Sequence, residues 1–340
     1  GLSITTGSGS DTITASALTA GQVLTLTGST AATVTLNAGN LSAATYTGNL
    51  TVTGGAGANT ITVGNGINII TGGGGADVLT GGTASDTFNF ASAANLAAAA
   101  IIVGGGGSDT IQLTAAATLT DSHFVNVTSV ETLGLTGAST ITLGANAATA
   151  GITAVVTGSG ATSITDSNGV TLAVNATVLA ENTVLTLAGS AAEVVTGLVG
   201  NITASSLTGA LTVTAGDAAD NGISITTGSA ATSITANGVS DVLSVTATTL
   251  AQNIALTLAG SAAEVVTGLV GDIAAGSLTG ALTVTAGDAA DNGISITTGS
   301  AATSITASGA SDIISVNGTT LAQNTVLTLA GSAAEVVTGL

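Results

Sequence analysis

The string Leu-Thr-Leu-Ala-Gly-Ser-Ala-Ala-Glu-Val-Val-Thr-Gly-Leu occurs at 185–198, 256–269 and 327–340, 71 residues apart each time. Segments 205–269 and 276–340 differ at nine positions, while the first copy, roughly 128–198, agrees well only from Gly151 onward. Self-similarity at a fixed period marks an array in which each unit buries its apolar face on the next. Each unit holds about seven short runs; in the second copy they begin at Asn201, Leu211, Ile223, Ser233, Val242, Ala255 and Glu264. Within each run Leu, Ile or Val alternates with Thr or Ser, the period-two pattern of a half-buried strand. Clusters of Gly, Asn, Asp and Ser separate the runs. The expectation is an all-β chain: an elongated parallel β-solenoid (β-roll or β-helix) of short strands with little or no helix. Only the stretch 91–100 is ambiguous. Seven strands do not divide into two-sided coils, so an eighth near 248–251, giving four coils of about 18 residues, is the preferred reading. Three coils of about 24 also fit.

Composition supports thin stacked layers. The 340 residues include no Lys, Arg, Pro, Cys, Met or Trp, and the aromatic residues are Tyr46, Phe88, Phe90 and Phe124. Globular cores draw much of their burial from large aromatic side chains, whereas small and β-branched residues suit pleated strands. Charged residues make up 5% of the chain, all acidic, for a formal charge of −18. Nucleic acid is excluded as a partner because nothing can neutralise phosphate. Mean hydropathy is +0.68, but the longest apolar run, 96–103, is far short of the ~20 residues of a membrane span, so no membrane insertion is expected. Position 1 is Gly, which leads us to expect a processed chain or a fragment. With no basic side chain present, metal cations, protons or solvent must offset the acids.

The most specific chemical signal lies between 54 and 112. Four nonapeptides run without a gap: Gly54-Gly-Ala-Gly-Ala-Asn-Thr-Ile-Thr, Val63-Gly-Asn-Gly-Ile-Asn-Ile-Ile-Thr, Gly72-Gly-Gly-Gly-Ala-Asp-Val-Leu-Thr and Gly81-Gly-Thr-Ala-Ser-Asp-Thr-Phe-Asn. A fifth, Gly104-Gly-Gly-Gly-Ser-Asp-Thr-Ile-Gln, follows an insertion, and a partial one, Gly7-Ser-Gly-Ser-Asp-Thr-Ile-Thr, sits near the start. Glycines allow positive φ and inward carbonyls, the Asp adds a carboxylate, and a hard cation such as Ca²⁺ takes six to eight oxygens. Here the chain resembles the RTX (haemolysin-type) calcium-binding repeat family. The resemblance implies Ca²⁺ as cofactor, with Gly72, Gly74, Asp77, Gly81, Asp86, Gly104, Gly106 and Asp109 in the metal turns and Asp11 in a partial one. It also implies that nonapeptides two apart share an ion, so Asp77 pairs with the Asn59 turn, Asp86 with the Asn68 turn, and Asp86 with Asp109. An amide oxygen at Asn59 or Asn68 can coordinate but brings no charge, so those sites are expected to be weaker or empty.

Aligning 24–62 with 185–225 sets Gly54–Asn59 against Gly216-Asp-Ala-Ala-Asp-Asn. Asp217 and Asp220, and their repeats Asp288 and Asp291, thereby become further metal candidates, against the alternative of a solvated Asx turn. Glu193, Glu264 and Glu335 recur in one turn and either coordinate a cation, contact a neighbouring chain or are solvated. His123 is the only histidine, and no nucleophile is singled out for it. The expectation is therefore a non-enzyme.

Three regions emerge: 1–53 as degenerate repeats, 54–127 as a calcium β-roll with an insertion at 90–103, and 128–340 as tandem 71-residue repeats. The stretch from Phe124 to Gly137 is similar to linking strands of RTX-bearing surface-layer proteins. The leading functional expectation is a secreted, calcium-stabilised subunit of a surface layer or extracellular filament. Further copies of the chain and cell-surface polysaccharide are its expected partners. The family resemblance also implies type I secretion. The alternatives are the repeat stalk of a large adhesin and the carrier region of a secreted enzyme.

Overall fold

The computed structural model describes residues 1–216, 222–238, 242–287, 293–308 and 313–340. The chain is an all-parallel β-solenoid of about 15 turns with 5% helix. It divides into two compact units, Gly1–Gly158 and Ser159–Leu340.

In the first unit, two ladders of short strands enclose a thin interior. One aliphatic column runs in register through Leu24, Leu41, Ile61, Leu79, Ile102 and Val127. The other runs through Val34, Val52, Ile70, Phe88, Ile111, Leu133 and Val155. No member of either column is more than 2% exposed. The intervening Thr and Ser residues lie on the outer face, as the buried–exposed alternation of Leu50–Thr53 shows. Each buried Leu, Ile or Val contributes about 1.5–3 kcal/mol, and stacking repeats that gain from coil to coil, with Phe88 the one aromatic in the two columns. Tyr46 is also fully buried, with its hydroxyl donating to the Thr30 carbonyl at 2.7 Å.

The ambiguous stretch at 91–100 contains the helix Ala93–Ala98, whose N-terminus is capped by the Ser92 side chain and whose Leu96 is buried. Strand Ile101–Val103 then rejoins the ladder beside Val78–Thr80. A second six-residue helix, Ala145–Ala150, has its N-terminus held by Asp121, which accepts N–H bonds from Gly144, Asn146 and Ala147. Burial pushes the Asp121 carboxyl up, but these bonds outweigh it and hold it below the usual range.

The second unit corrects the coil arithmetic. From Glu193–Leu198 up to Ala263–Leu269 the described residues form seven strands, which is three and a half coils. The expected eighth strand at 248–251 is a turn. It leads to Asn253 at φ +58, a left-handed residue repeated at Asn182 and Asn324. Both ladders offer the same alternating apolar column, so a repeat need not contain whole coils. Identical sequence consequently alternates between ladders. Glu193 pairs with Leu172 and Leu211 in one ladder, Glu264 with Leu243 and Leu282 in the other, and Glu335 with Ile314 back in the first. Coil length is also uneven: Leu185 pairs with Ile202, but Thr232 with Leu256.

Candidate metal centre

Each nonapeptide forms a corner followed by a strand of three or four residues, Val78–Thr80 after Asp77 and Thr87–Phe90 after Asp86. Positive φ falls on Gly73 (+97) and Gly75 (+104), and on Gly105 (+111) and Gly107 (+104) in the later turn. Gly81, the first residue of its turn, is required for a different reason. A Cβ on Gly81 would lie 2.1 Å from the Gly104 carbonyl oxygen and 2.6 Å from Asp86 Oδ2. That glycine leaves two oxygens, one from its own turn and one from the next coil, facing each other across its Cα.

The corner side chains stack through the array. Asp77 Oδ1 accepts the Asn59 N–H at 2.8 Å. On the other side Asp86 Oδ1 accepts the Asn68 N–H at 2.8 Å, and Asp109 Oδ1 accepts the Asp86 N–H at 2.6 Å. Glu131 Oε2 continues the stack by accepting the Asp109 N–H at 2.8 Å. The structure therefore brings together Asp77 with the Asn59 turn, Asp86 with the Asn68 turn, and Asp86 with Asp109. All five of these residues are at most 2% exposed. Glu131 was not singled out by sequence reasoning. Its signal is its place immediately before the strand Thr132–Leu135, matching that of Asp109 before Thr110–Leu113.

The two asparagines close their corners differently from the aspartates. Asn68 Nδ2 donates to the carbonyls of Gly64 (3.1 Å) and Gly66 (2.6 Å) and to Asp86 Oδ1 (2.9 Å). Asn59 Nδ2 donates to the carbonyls of Asn37 (3.3 Å) and Gly39 (2.6 Å). Their amide oxygens instead accept backbone N–H groups, from Gly55 at Asn59 and from Leu50 at Asn68. An amide nitrogen thus supplies the positive end that these carbonyls need. An aspartate has no such donor.

Electrostatics follow from this arrangement. Burial pushes Asp77 and Asp86 up from the ordinary carboxylate value, against the backbone N–H bonds that lower them. Asp109 is pushed up to about 6 by burial, with the neighbouring charges of Asp86 and Glu131 adding to the rise. Asp109 Oδ2 is buried with no hydrogen-bond partner. Oxygens that are buried, acidic and unpaired, in a chain without Lys or Arg, fit a hard cation. Among the described residues no three His, Asp or Glu side chains converge on one point. Backbone carbonyls of the glycine turns would therefore complete the ligand set, with Asp77, Asp86 and Asp109 supplying the charge. The ion would neutralise that charge and tie successive coils together.

The remaining candidates are placed elsewhere. Asp11 is partly exposed, stands in register with Ala32, and accepts a hydroxyl hydrogen bond from Thr30 at 3.3 Å. Around Gly74 and Gly106 a Cβ would meet nothing closer than 3.5 Å. Asp217, Asp220, Asp288 and Asp291 lie outside the described residues. Glu193 and Glu264 prove fully buried, while Glu335 is exposed.

A parallel solenoid with glycine corners and stacked buried carboxylates is the arrangement a calcium-binding β-roll requires. Residues 53–88 match the sequence profile of the RTX calcium-binding nonapeptide repeat in four copies, so this segment is an RTX repeat region and its cofactor is Ca²⁺. Comparison with curated proteins and with solved structures gave no match. RTX repeats are typical of secreted, extracellular proteins, and the repeats and the β-solenoid together fit a calcium-binding extracellular repeat protein.

Proposed function

We propose that this protein is a structural, non-catalytic subunit of a surface layer or extracellular filament, exported by a type I route and folded by the calcium it meets outside. The observation that carries the reading is the stack Asn68, Asp86, Asp109 and Glu131, which links successive coils through side-chain oxygens. Ion binding there is folding free energy, because the coils are not held together in the unfolded chain. At low calcium the acids of the calcium turns repel, and those coils stay open for export. At high calcium they close. Assembly with further copies draws on aliphatic side chains left on the surface, among them Ile67, Ile101 and Val125 in the first unit. The near-identity of the 71-residue copies also suits a second reading, the spacer stalk of a larger adhesin.

Electron microscopy and circular dichroism with calcium and then with chelator test the proposal. Ordered assemblies and strand signal should both appear with calcium and decline without it. Assembly and spectrum indifferent to calcium would overturn the switch. Monomers that bind cells at saturating calcium would favour the stalk.

A further inference from the structure

Asp166 ends the strand Thr162–Asp166, and Glu193 opens the strand Glu193–Leu198 on the next coil of the second unit. Alternation points both inward, Asp166 with Ile164 and Glu193 with Val195, and both acids are 0% exposed. They share one corner. Asp166 is in register with Gly189, and its carbonyl accepts the N–H groups of Ser190 (2.9 Å) and Ala191 (3.2 Å), in the turn that leads to Glu193. Asp166 Oδ1 accepts the Asn168 N–H at 2.9 Å. Asp166 Oδ2 and both carboxylate oxygens of Glu193 are buried with no hydrogen-bond partner. Burial first, and the Asp166 charge second, push Glu193 up to about 8.

The tandem copies contain an internal control. The register place of Asp166 is taken by Ala236, beside Gly260, and by Ala307, beside Gly331. The glutamate persists as Glu264, 1% exposed, and as Glu335. A lone buried glutamate is neutralised by a proton. Two carboxylates at one corner instead offer the charge and clustered oxygens that a hard divalent ion takes. The chain has no Lys or Arg to serve in its place.

We infer that Asp166 and Glu193 form an internal site for a hard divalent cation such as Ca²⁺, separate from the RTX turns and missing from the later copies. The ion pins two consecutive coils at the start of the tandem array.

Counting bound Ca²⁺ per chain by native mass spectrometry and equilibrium dialysis tests this on the full chain and on Asp166→Ala, Glu193→Gln and Asp109→Asn. The first two variants should each lose one ion and keep the RTX ions. Asp109→Asn should lose calcium from the RTX turns and keep this ion. Equal counts in the parent and Asp166→Ala, with circular dichroism unchanged, overturn the site and leave a shared proton in its place. The alanine is the residue that later copies already carry at this position, so the fold should accept it. Infrared spectroscopy on a Glu264→Gln background gives a readout in which Asp166 and Glu193 stay intact. Glu193 should show a carboxylate band at saturating calcium and an acid band in chelator. An acid band that persists with calcium overturns the site. A chain that keeps this ion but binds none at the RTX turns would refute the RTX assignment alone.

Discussion

The corner at Asp86 and Asp109 and the corner at Glu264 bury acidic side chains equally deeply, each at most 1% exposed. They differ in what surrounds the charge. Around Asp86 and Asp109, backbone N–H groups of the preceding turns donate to the carboxylates, and glycines leave the carbonyls of the next coil open. Around Glu264 the register partners are Leu243 and Leu282, and neither carboxylate oxygen has a hydrogen-bond partner. N–H donors and open carbonyls favour the ionised form plus a cation, whereas an aliphatic lining favours the protonated acid. One chain therefore carries corners that suit a metal ion and corners that suit a proton.

Removing calcium should separate the two most strongly. Hydrogen exchange followed by mass spectrometry in chelator should show protection falling by about a hundredfold or more across 54–131. Strands Val242–Thr246 and Leu282–Ala286, which flank Glu264, should change by no more than a few-fold. Uniform loss in both would erase the distinction.

Acidity should act in the opposite sense at Glu264, whose carboxyl burial raises from 4.5 to about 8. Below pH 4.5 the folded and unfolded forms are both protonated and nothing is lost. Between 4.5 and 8 the unfolded chain ionises first, so stability declines as pH rises, by at most about tenfold in the folding constant per unit. Glu264→Gln should flatten this slope in denaturant titrations across that range. The same slope in parent and variant would show that Glu264 is not held as an acid.

Glycines sharpen the comparison within the calcium turns. Gly81→Ala places a Cβ against the Gly104 carbonyl and the Asp86 carboxylate and should cost about 1–3 kcal/mol, with weaker calcium binding. Gly74→Ala meets nothing within 3.5 Å at a φ outside the left-handed region, and should stay within about 0.5 kcal/mol of the parent. Thermal melts at fixed calcium distinguish them, and equal losses would mean that close approach is not why Gly81 is required.

Much of this was legible in the sequence, because alternation and period are local signals. All seven runs expected in the second copy are strands, from Asn201–Leu207 to Ala263–Leu269. The coil count was not legible. The turn at 248–251 runs into the left-handed Asn253, and nothing in local pattern fixes that a repeat spans half-coils. Glu131 escaped notice because it lies outside any nonapeptide, and only register brings it beneath Asp109. Burial of Glu193 and Glu264 was equally hidden. A glutamate that follows Gly-Ser-Ala-Ala reads as a solvated turn until the ladder shows that it shares the inward face of Val195 or Val266.

The remaining comparison concerns the asparagine corners. Asn68→Asp removes the Nδ2 donor to Gly64 and Gly66 and sets a second carboxylate against Asp86. In chelator it should destabilise by about 1–3 kcal/mol, the cost of leaving buried acceptors unpaired. At saturating calcium the loss should shrink to about 1 kcal/mol or less, as an ion takes the place of the amide. The diagnostic is thus the gap between the two conditions, read from melting curves of parent and variant side by side. If the loss is the same with and without calcium, the asparagine turn is not a calcium turn in which an amide stands for the ion, and the contrast between Asn and Asp corners reduces to packing.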